Sequence, residues 1–308
     1  MNKLTRTPVP VIARLSLVAL IWGGTFIAGR VAAPQMSAPM SALLRYIIAT
    51  VALVIIVFMR EGGLPRLSRT QWVGVVLLGM TGVAGYNLGF MYGLETVPAS
   101  RGSLLIALNP AATMIGAAIF LREPLTLAKI VGCVLALLGV AIELSGGNPL
   151  VLFNGDAGWG EAALFAAAVS WAGYTLIGKG LIGGMSALAM TTYAALTGTA
   201  LLALIVAVRG EIALPHATLG AWAALAYMGI FGTAIAFVWF MEGVQAVGPA
   251  RASIFVNLVP VAAITLGVLL LGEHVNASMI VGAALVIAGV WIINRPVATP
   301  PIARTRPT

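Results

Sequence analysis

The feature that most constrains this chain is a succession of ten apolar runs, each about 18–23 residues long and separated by Pro, Gly or charged residues. A helical run of that length crosses the hydrocarbon core of a bilayer, about 30 Å. The runs fall at about 12–32, 38–60, 71–93, 98–121 and 127–145. They resume at about 158–179, 185–208, 217–240, 249–271 and 277–294. Lipid offers no hydrogen bonds, so each run must satisfy its own backbone as a helix. The expected fold is therefore an all-α membrane protein of ten transmembrane helices. Composition agrees: 8% of the 308 residues are charged, against about a quarter in soluble domains. The first run is long enough to span and lacks the short apolar region and cleavage site of a signal peptide, so it reads as the first helix.

The chain also resembles itself. Trp72, Gly79, Gly82, Gly93, Arg101, Ser103, Pro110, Glu123 and Gly132 are matched 150 residues later by Trp222, Gly229, Gly232, Gly243, Arg251, Ser253, Pro260, Glu273 and Gly282. Trp22-Gly23-Gly24 is matched at an offset of 149 by Trp171-Ala172-Gly173. A register held over several spans marks an internal duplication. Each half contains an odd number of spans, so the second enters the bilayer from the opposite side. Such inverted repeats are typical of secondary transporters, where two similar halves exchange conformations around a central cavity. The expected units are an N-terminal repeat over 12–145, an inverted C-terminal repeat over 158–294, and a disordered cytoplasmic tail over 295–308. Both halves lie in one chain, so a functional monomer is compatible with the duplication.

The net charge of +8 forms no stripe on a soluble domain and implies no nucleic-acid partner. The bases sit between apolar runs, where they report orientation. With the N-terminus in the cytoplasm, inside segments hold 13 of the 17 Lys and Arg residues and outside ends hold Arg30, Arg45, Arg101 and Arg209. The connection from Glu143 to Glu161 carries acids but no base, as an exported loop should. Both termini are thus expected in the cytoplasm, with the bilayer as the surrounding partner. The lone Cys133 reads as a small hydrophobe within a helix. His216 and His274 lie in connections, and no metalloprotease or phosphate-loop motif is present, so neither an enzyme nor a cofactor is expected.

Transport requires polar groups in a cavity at membrane depth, with helix breaks that expose backbone. Candidates near span centres are Trp22 and Thr25, Tyr86 and Asn87, Ser103 and Asn109, Trp171 and Tyr174, Trp239, and Ser253 and Asn257. Core packing competes with cavity lining for each tryptophan and tyrosine. Pro110 and Pro260 are repeat mates that should break their helices and free a carbonyl about one turn back. Those carbonyls and the neighbouring Asn109 and Asn257 amides suit the ammonium and carboxylate of a zwitterion. The nine acids all fall near predicted span ends. A carrier of lipophilic cations would want one buried, so neutral or zwitterionic cargo is favoured.

The paired Trp-Gly-Gly-Thr and Trp-Ala-Gly-Tyr openings, the Arg-Gly-Ser…Asn-Pro and Arg-Ala-Ser…Val-Pro helices, and the Arg-Glu-Pro and Gly-Glu-His stretches carry a further likeness. They resemble EamA-type members of the drug/metabolite transporter superfamily, and within it the YddG-like amino-acid exporters. The resemblance covers about 12–294. It implies a cavity lined by the first, third, fourth, sixth, eighth and ninth spans, with the fifth and tenth peripheral. It also implies export of amino acids across a bacterial inner membrane, with a multidrug or other small-metabolite carrier as the alternative. The 13-to-4 distribution of basic residues sets a test. A reporter fused after Thr308 is expected to be active in the cytoplasm, and activity in the periplasm alone overturns that orientation.

Overall fold

The computed structural model describes residues 9–147, 158–181, 185–211, 216–247, 252 and 255–293. The described residues form helices and connections, with no strand among them. In the first half these are α1 (Val9–Ala32), α2 (Ala38–Glu61), α3 (Arg69–Thr96), α4 (Ala99–Phe120) and α5 (Leu127–Leu144). In the second they are α6 (Trp159–Leu181), α7 (Ala187–Val208), α8 (Leu219–Tyr227, continuing through Met228–Ile235 to Ala236–Val247), α9 (Val259–Leu271) and α10 (Ala277–Ile293). Eight are long and apolar enough to cross a bilayer, and α9 and α10 are shorter apolar helices. The ten-helix architecture expected from the apolar runs is present. The tail at 295–308 lies outside the described residues, as does the connection at 148–157.

Capping residues fix where the helices begin, and they do so in pairs. Ser37 accepts the Met40 N–H at the start of α2, and its repeat mate Ser186 accepts the Ala189 N–H at the start of α7. Ser68 and Thr218, mates at 150, cap α3 and α8 in the same way. Each hydroxyl satisfies one of the donors a helix start leaves open. The register between halves is therefore 149 through α2 and α7, and 150 from α3 and α8 onward.

The two halves meet through their own mates. Thr50 and Thr199, 149 residues apart, share a hydrogen bond of 2.8 Å between hydroxyls, linking α2 to α7. Further along, α5 and α10 pack chiefly on each other. Gly139 faces the Gly282 carbonyl, and a Cβ at either position would lie 2.6 Å from the other's oxygen. Gly132 and Gly289 face each other equally closely. Because Gly132 is the mate of Gly282 and Gly139 of Gly289, these contacts are reciprocal, the pattern a twofold axis generates. Small residues of this kind let membrane helices approach closely, where dispersion replaces the absent hydrophobic drive.

Two helices contain a wider turn that the apolar pattern does not signal. Gly79–Gly85 within α3 and Met228–Ile235 within α8 are π-helical, and they correspond at the 150 offset. Such turns are rare and tend to mark functional positions. One place also differs from the sequence expectation. Arg45, assigned above to an outside end, is the eighth residue of α2 and 6% exposed. The hydropathy of a long run cannot register one cation that its neighbours bury. Glu211, beyond the end of α7, is tied to Ser37 and Arg209. The Ser37 hydroxyl and then the Arg209 guanidinium hold its carboxyl below the usual range.

The reciprocal glycine contact yields a stability test. Leu in place of Gly139 must displace backbone of α10, and overpacking of this kind costs about 1–3 kcal/mol. The melting temperature in detergent is expected to fall for Gly139→Leu. It should hold or rise for Gly220→Ala, an exposed helical position with room for a Cβ. Equal melting of Gly139→Leu and wild type would show that this contact does not join the halves.

Candidate functional site

The π turn of α3 sets the centre of the site. Gly82 in that turn lies against the Tyr174 ring, where a Cβ would stand 2.2 Å from Cδ2. Absence of a side chain there lets α6 approach and brings three aromatic candidates together. Tyr86 and Trp171 have ring centroids 5.1 Å apart, and Trp171 and Tyr174 are 5.2 Å apart. Tyr86 in turn stacks on Phe90 at 5.9 Å, and Phe90 meets Phe26 of α1 edge-on at 5.1 Å. Trp171 is half-buried, and Tyr174 is buried.

The mate of Trp171 behaves in parallel. Trp22 packs against Phe240 of α8, 5.3 Å between centroids. Its indole N–H donates to the Gly232 carbonyl within the α8 π turn at 2.9 Å. A π turn leaves carbonyls out of the regular ladder, and this one is taken by an indole from the other half. Thr25 is buried one turn further and donates to the Trp22 carbonyl. Trp22 and Thr25 therefore join the π turn of α8, as Trp171 joins the neighbourhood of the π turn of α3.

Both prolines sit at helix breaks. The first part of α4 ends at Ile106, Ala107 and Leu108 form a turn, and the helix restarts at Asn109 with Pro110 in its first turn. Pro110 has no N–H for the Ile106 carbonyl. With its amide nitrogen turned inward, the Asn109 side chain supplies that donor at 3.2 Å and also reaches the Ala168 carbonyl of α6 at 3.2 Å. The same break occurs at Asn257 and Leu258, before Val259 and Pro260. Asn257 is half-buried within that turn. The asparagines are not repeat mates: the mate of Asn109 is Val259, and that of Asn257 is Ala107.

The remaining candidates are less open or lie elsewhere. Ser103 is buried and donates to the Ser100 carbonyl within its own helix. Asn87 is fully buried and donates to the Val83 carbonyl. Trp239 stands apart from the aromatic cluster. It lines a cavity of about 230 Å³ with Val11, Arg14, Glu242, Gly243 and Ala246, at the end where α1 begins. Ser253 lies outside the described residues.

A second cavity, about 270 Å³, lies where α6 begins, between the end of α3, with Val97 just beyond it, and Gly158–Glu161. The repeat relates the two, since Glu242 and Ala246 are mates of Tyr92 and Thr96. Charges close the helix ends beside them. Glu242 pairs with Arg14 at 3.0 Å and with Arg60. At the opposite end Arg30 donates to the Leu94 and Glu95 carbonyls at 2.9 and 2.7 Å. Arg101 pairs with Glu143 at 3.6 Å and Glu161 at 3.4 Å.

The comparisons with known proteins fit this duplicated architecture. The profile of the EamA-like transporter family matches residues 11–144 and, a second time, 158–295. The chain belongs to the EamA-like transporter family. Among its relatives, the uncharacterized transporter YyaM of Bacillus subtilis is 28% identical over 88% of this chain and 89% of that protein. A "Probable terminal-alkyne amino-acid exporter" of Streptantibioticus cattleyicolor is 33% identical, covering 91% and 92%. The uncharacterized inner membrane transporter YedA of Escherichia coli K12 is 28% identical over 88% and 86%. A solved crystal structure of 21% identity superposes with a TM-score of 0.66, covering 92% of this chain and 96% of that one, which establishes likeness of fold.

As an EamA-like transporter the chain is a multi-pass membrane carrier and not an enzyme. Two features of this carrier escape the reading of the sequence. Glu273 stands there only as the mate of Glu123 and as one of the acids near span ends. It accepts from the Ala99 and Ser100 backbone N–H groups at 2.7 and 3.0 Å and from the Ser100 hydroxyl. It thus caps the start of α4 from across the repeat, where a carboxylate meets the positive end of the helix dipole. The signal for it is the Glu123–Glu273 pair at the 150 offset, which the duplication exposes without a role. Arg45 is the second feature. For the helix breaks, restoring an N–H with Pro110→Ala or Pro260→Ala should straighten the helix and displace Asn109 from Ile106. Each variant is expected to lose transport rate in proteoliposomes while its melting temperature stays near wild type. Wild-type rates in both folded variants would leave the breaks without a role in transport.

Proposed function

We propose that this EamA-like transporter is a secondary exporter of amino acids, aromatic and other neutral ones among them, with both termini in the cytoplasm. The observation that carries the reading is the Tyr86–Trp171–Tyr174 cluster, where α3 and α6 join rings at membrane depth, in a chain whose acids all lie near span ends. Flat apolar walls with a few placed polar groups make a small-molecule site. Rings of this kind accept a neutral side chain, and the absence of a neighbouring carboxylate disfavours a lipophilic cation. Trp22 and Thr25 extend the lining, with Asn87 and Ser103 behind it. Asn109, Asn257 and the carbonyls at the Pro110 and Pro260 breaks receive the ammonium group. The relative named as a probable amino-acid exporter supports the same class of cargo.

Alternating access follows from the duplication. The mated cavities at the two ends are entrances that open in turn, and the ion pairs of Glu242 and of Arg101 hold helix ends together between openings. Selectivity among side chains is modest in such a site, because a methylene more or less is worth only about 1–3 kcal/mol. The test is competition in proteoliposomes preloaded with labelled phenylalanine. Phenylalanine, methionine and threonine are expected to compete, and Trp22→Ala and Trp171→Ala to weaken all three. If none competes while a quaternary ammonium drug does, the cargo is a lipophilic cation and the amino-acid reading is wrong.

A further inference from the structure

Arg45 is a cation inside a membrane-spanning helix, and its surroundings leave it incompletely paired. It lies seven residues into α2, roughly 10 Å along the helix from its start. Its side chain is 6% exposed. Among the described residues, Nη2 alone has a hydrogen-bond partner, the Thr233 hydroxyl in the α8 π turn, at 3.4 Å. Nε and Nη1 are buried without a hydrogen-bond partner. The guanidinium carbon sits 5.8 Å from the Tyr46 ring centroid and 5.7 Å from that of Phe90. Rings interact favourably with a cation, but they do not occupy N–H donors. An ionised group at this depth without a counter-charge is costly, and such residues mark function more often than architecture.

The duplication shows that the architecture does not require it. At the 149 register fixed by Ser37 and Ser186, Arg45 corresponds to Ala194 and Tyr46 to Ala195, both buried. At the 150 register Thr233 corresponds to Val83 and Asn87 to Phe237. Asn87 adds a second orphan, a buried Oδ1 without a partner, and its amide lies beside the Tyr46 hydroxyl. The fold builds the same corner twice and makes it polar once. That corner adjoins the aromatic site: Phe90, under the guanidinium, stacks on Tyr86, which touches Trp171.

We propose that Arg45 is the carboxylate-binding residue of the transport site. A guanidinium presents parallel N–H donors that match a carboxylate, an arrangement a lysine or an amide cannot reproduce. One cation balances one negative charge, so the cargo is a monocarboxylate on an apolar or aromatic body. This deepens the amino-acid reading by assigning its carboxylate to Arg45, and it leaves Asn109, Asn257 and the carbonyls at the breaks to the ammonium group. It holds equally for a carboxylic acid that lacks an amine.

The test uses the full chain in nanodiscs and three probes of similar shape: phenylalanine, phenylpropionate and phenylalaninamide. Both carboxylates are expected to bind saturably, and phenylalaninamide at least about tenfold more weakly. Arg45→Met should weaken the two carboxylates on the order of a hundredfold and leave phenylalaninamide unchanged. Arg45→Lys should recover part of the loss. Equal affinity of wild type for phenylalanine and its amide overturns the proposal, and does so even if Arg45→Met fails to fold. So does failure of both carboxylates to bind, or an unchanged acid-over-amide preference in folded Arg45→Met. Binding of phenylpropionate without phenylalanine keeps Arg45 as the carboxylate site and removes the amino-acid reading. Binding of phenylalanine no better than its amide does the reverse.

Discussion

The structure depends on contacts that one half of the chain makes with its own copy. Lipid tails are as apolar as the helices, so burying leucine does not join helices in a membrane, and close backbone approach must do so instead. The reciprocal pairs Gly132–Gly289 and Gly139–Gly282 provide that approach between α5 and α10. Thr50 and Thr199 provide a hydrogen bond between α2 and α7. Because these contacts are made by mates, they define a twofold relation between halves, and every other paired feature follows it. The capping residues, the π turns and the proline breaks all occur twice in corresponding places.

Symmetry of this sort supplies a background against which departures stand out. Trp22 and Trp171 are mates that both dock near a π turn of the opposite half, one by donating to a carbonyl and the other through rings. Glu273 caps the first turn of α4 from the opposite half. Arg45, Tyr46, Asn87 and Thr233 have the apolar mates Ala194, Ala195, Phe237 and Val83, so that corner is made polar in one half alone. A carrier built from two equal halves still has to bind an unsymmetrical molecule. Polar groups that break the symmetry are where such a molecule is recognised.

Much of the architecture is legible in the sequence for simple physical reasons. A bilayer forces runs of fixed length, so most of the ten helices begin and end within a few residues of the apolar segments, although α8 runs on to Val247 and α9 is described from Val259. A duplicated chain keeps its glycines and prolines in register, so the repeat is visible as a constant offset. The break within α4 and the one just before α9 follow from Pro110 and Pro260, because a missing N–H has the same consequence wherever it falls in a helix. The grouping of Tyr86 with Trp171 and Tyr174 is only partly legible. Each ring can be placed near a span centre, but which rings face one another depends on helix rotation.

The sequence by itself determined the membrane class, the number of spans, their inverted duplication and the places where helices break, since each follows from solvent, chain length or a missing donor. Tertiary structure alone decided which polar groups are used and which are left open. Asn109 is engaged because α6 brings the Ala168 carbonyl to it. Glu273 is a cap because the fold carries it to the start of α4. Arg45 lies in an apolar run that tolerates one cation without losing its hydropathy, so hydropathy could not show whether a partner stood beside it. Only the packing of α2 against α3 and α8 buried its guanidinium and left two of its nitrogens unpaired.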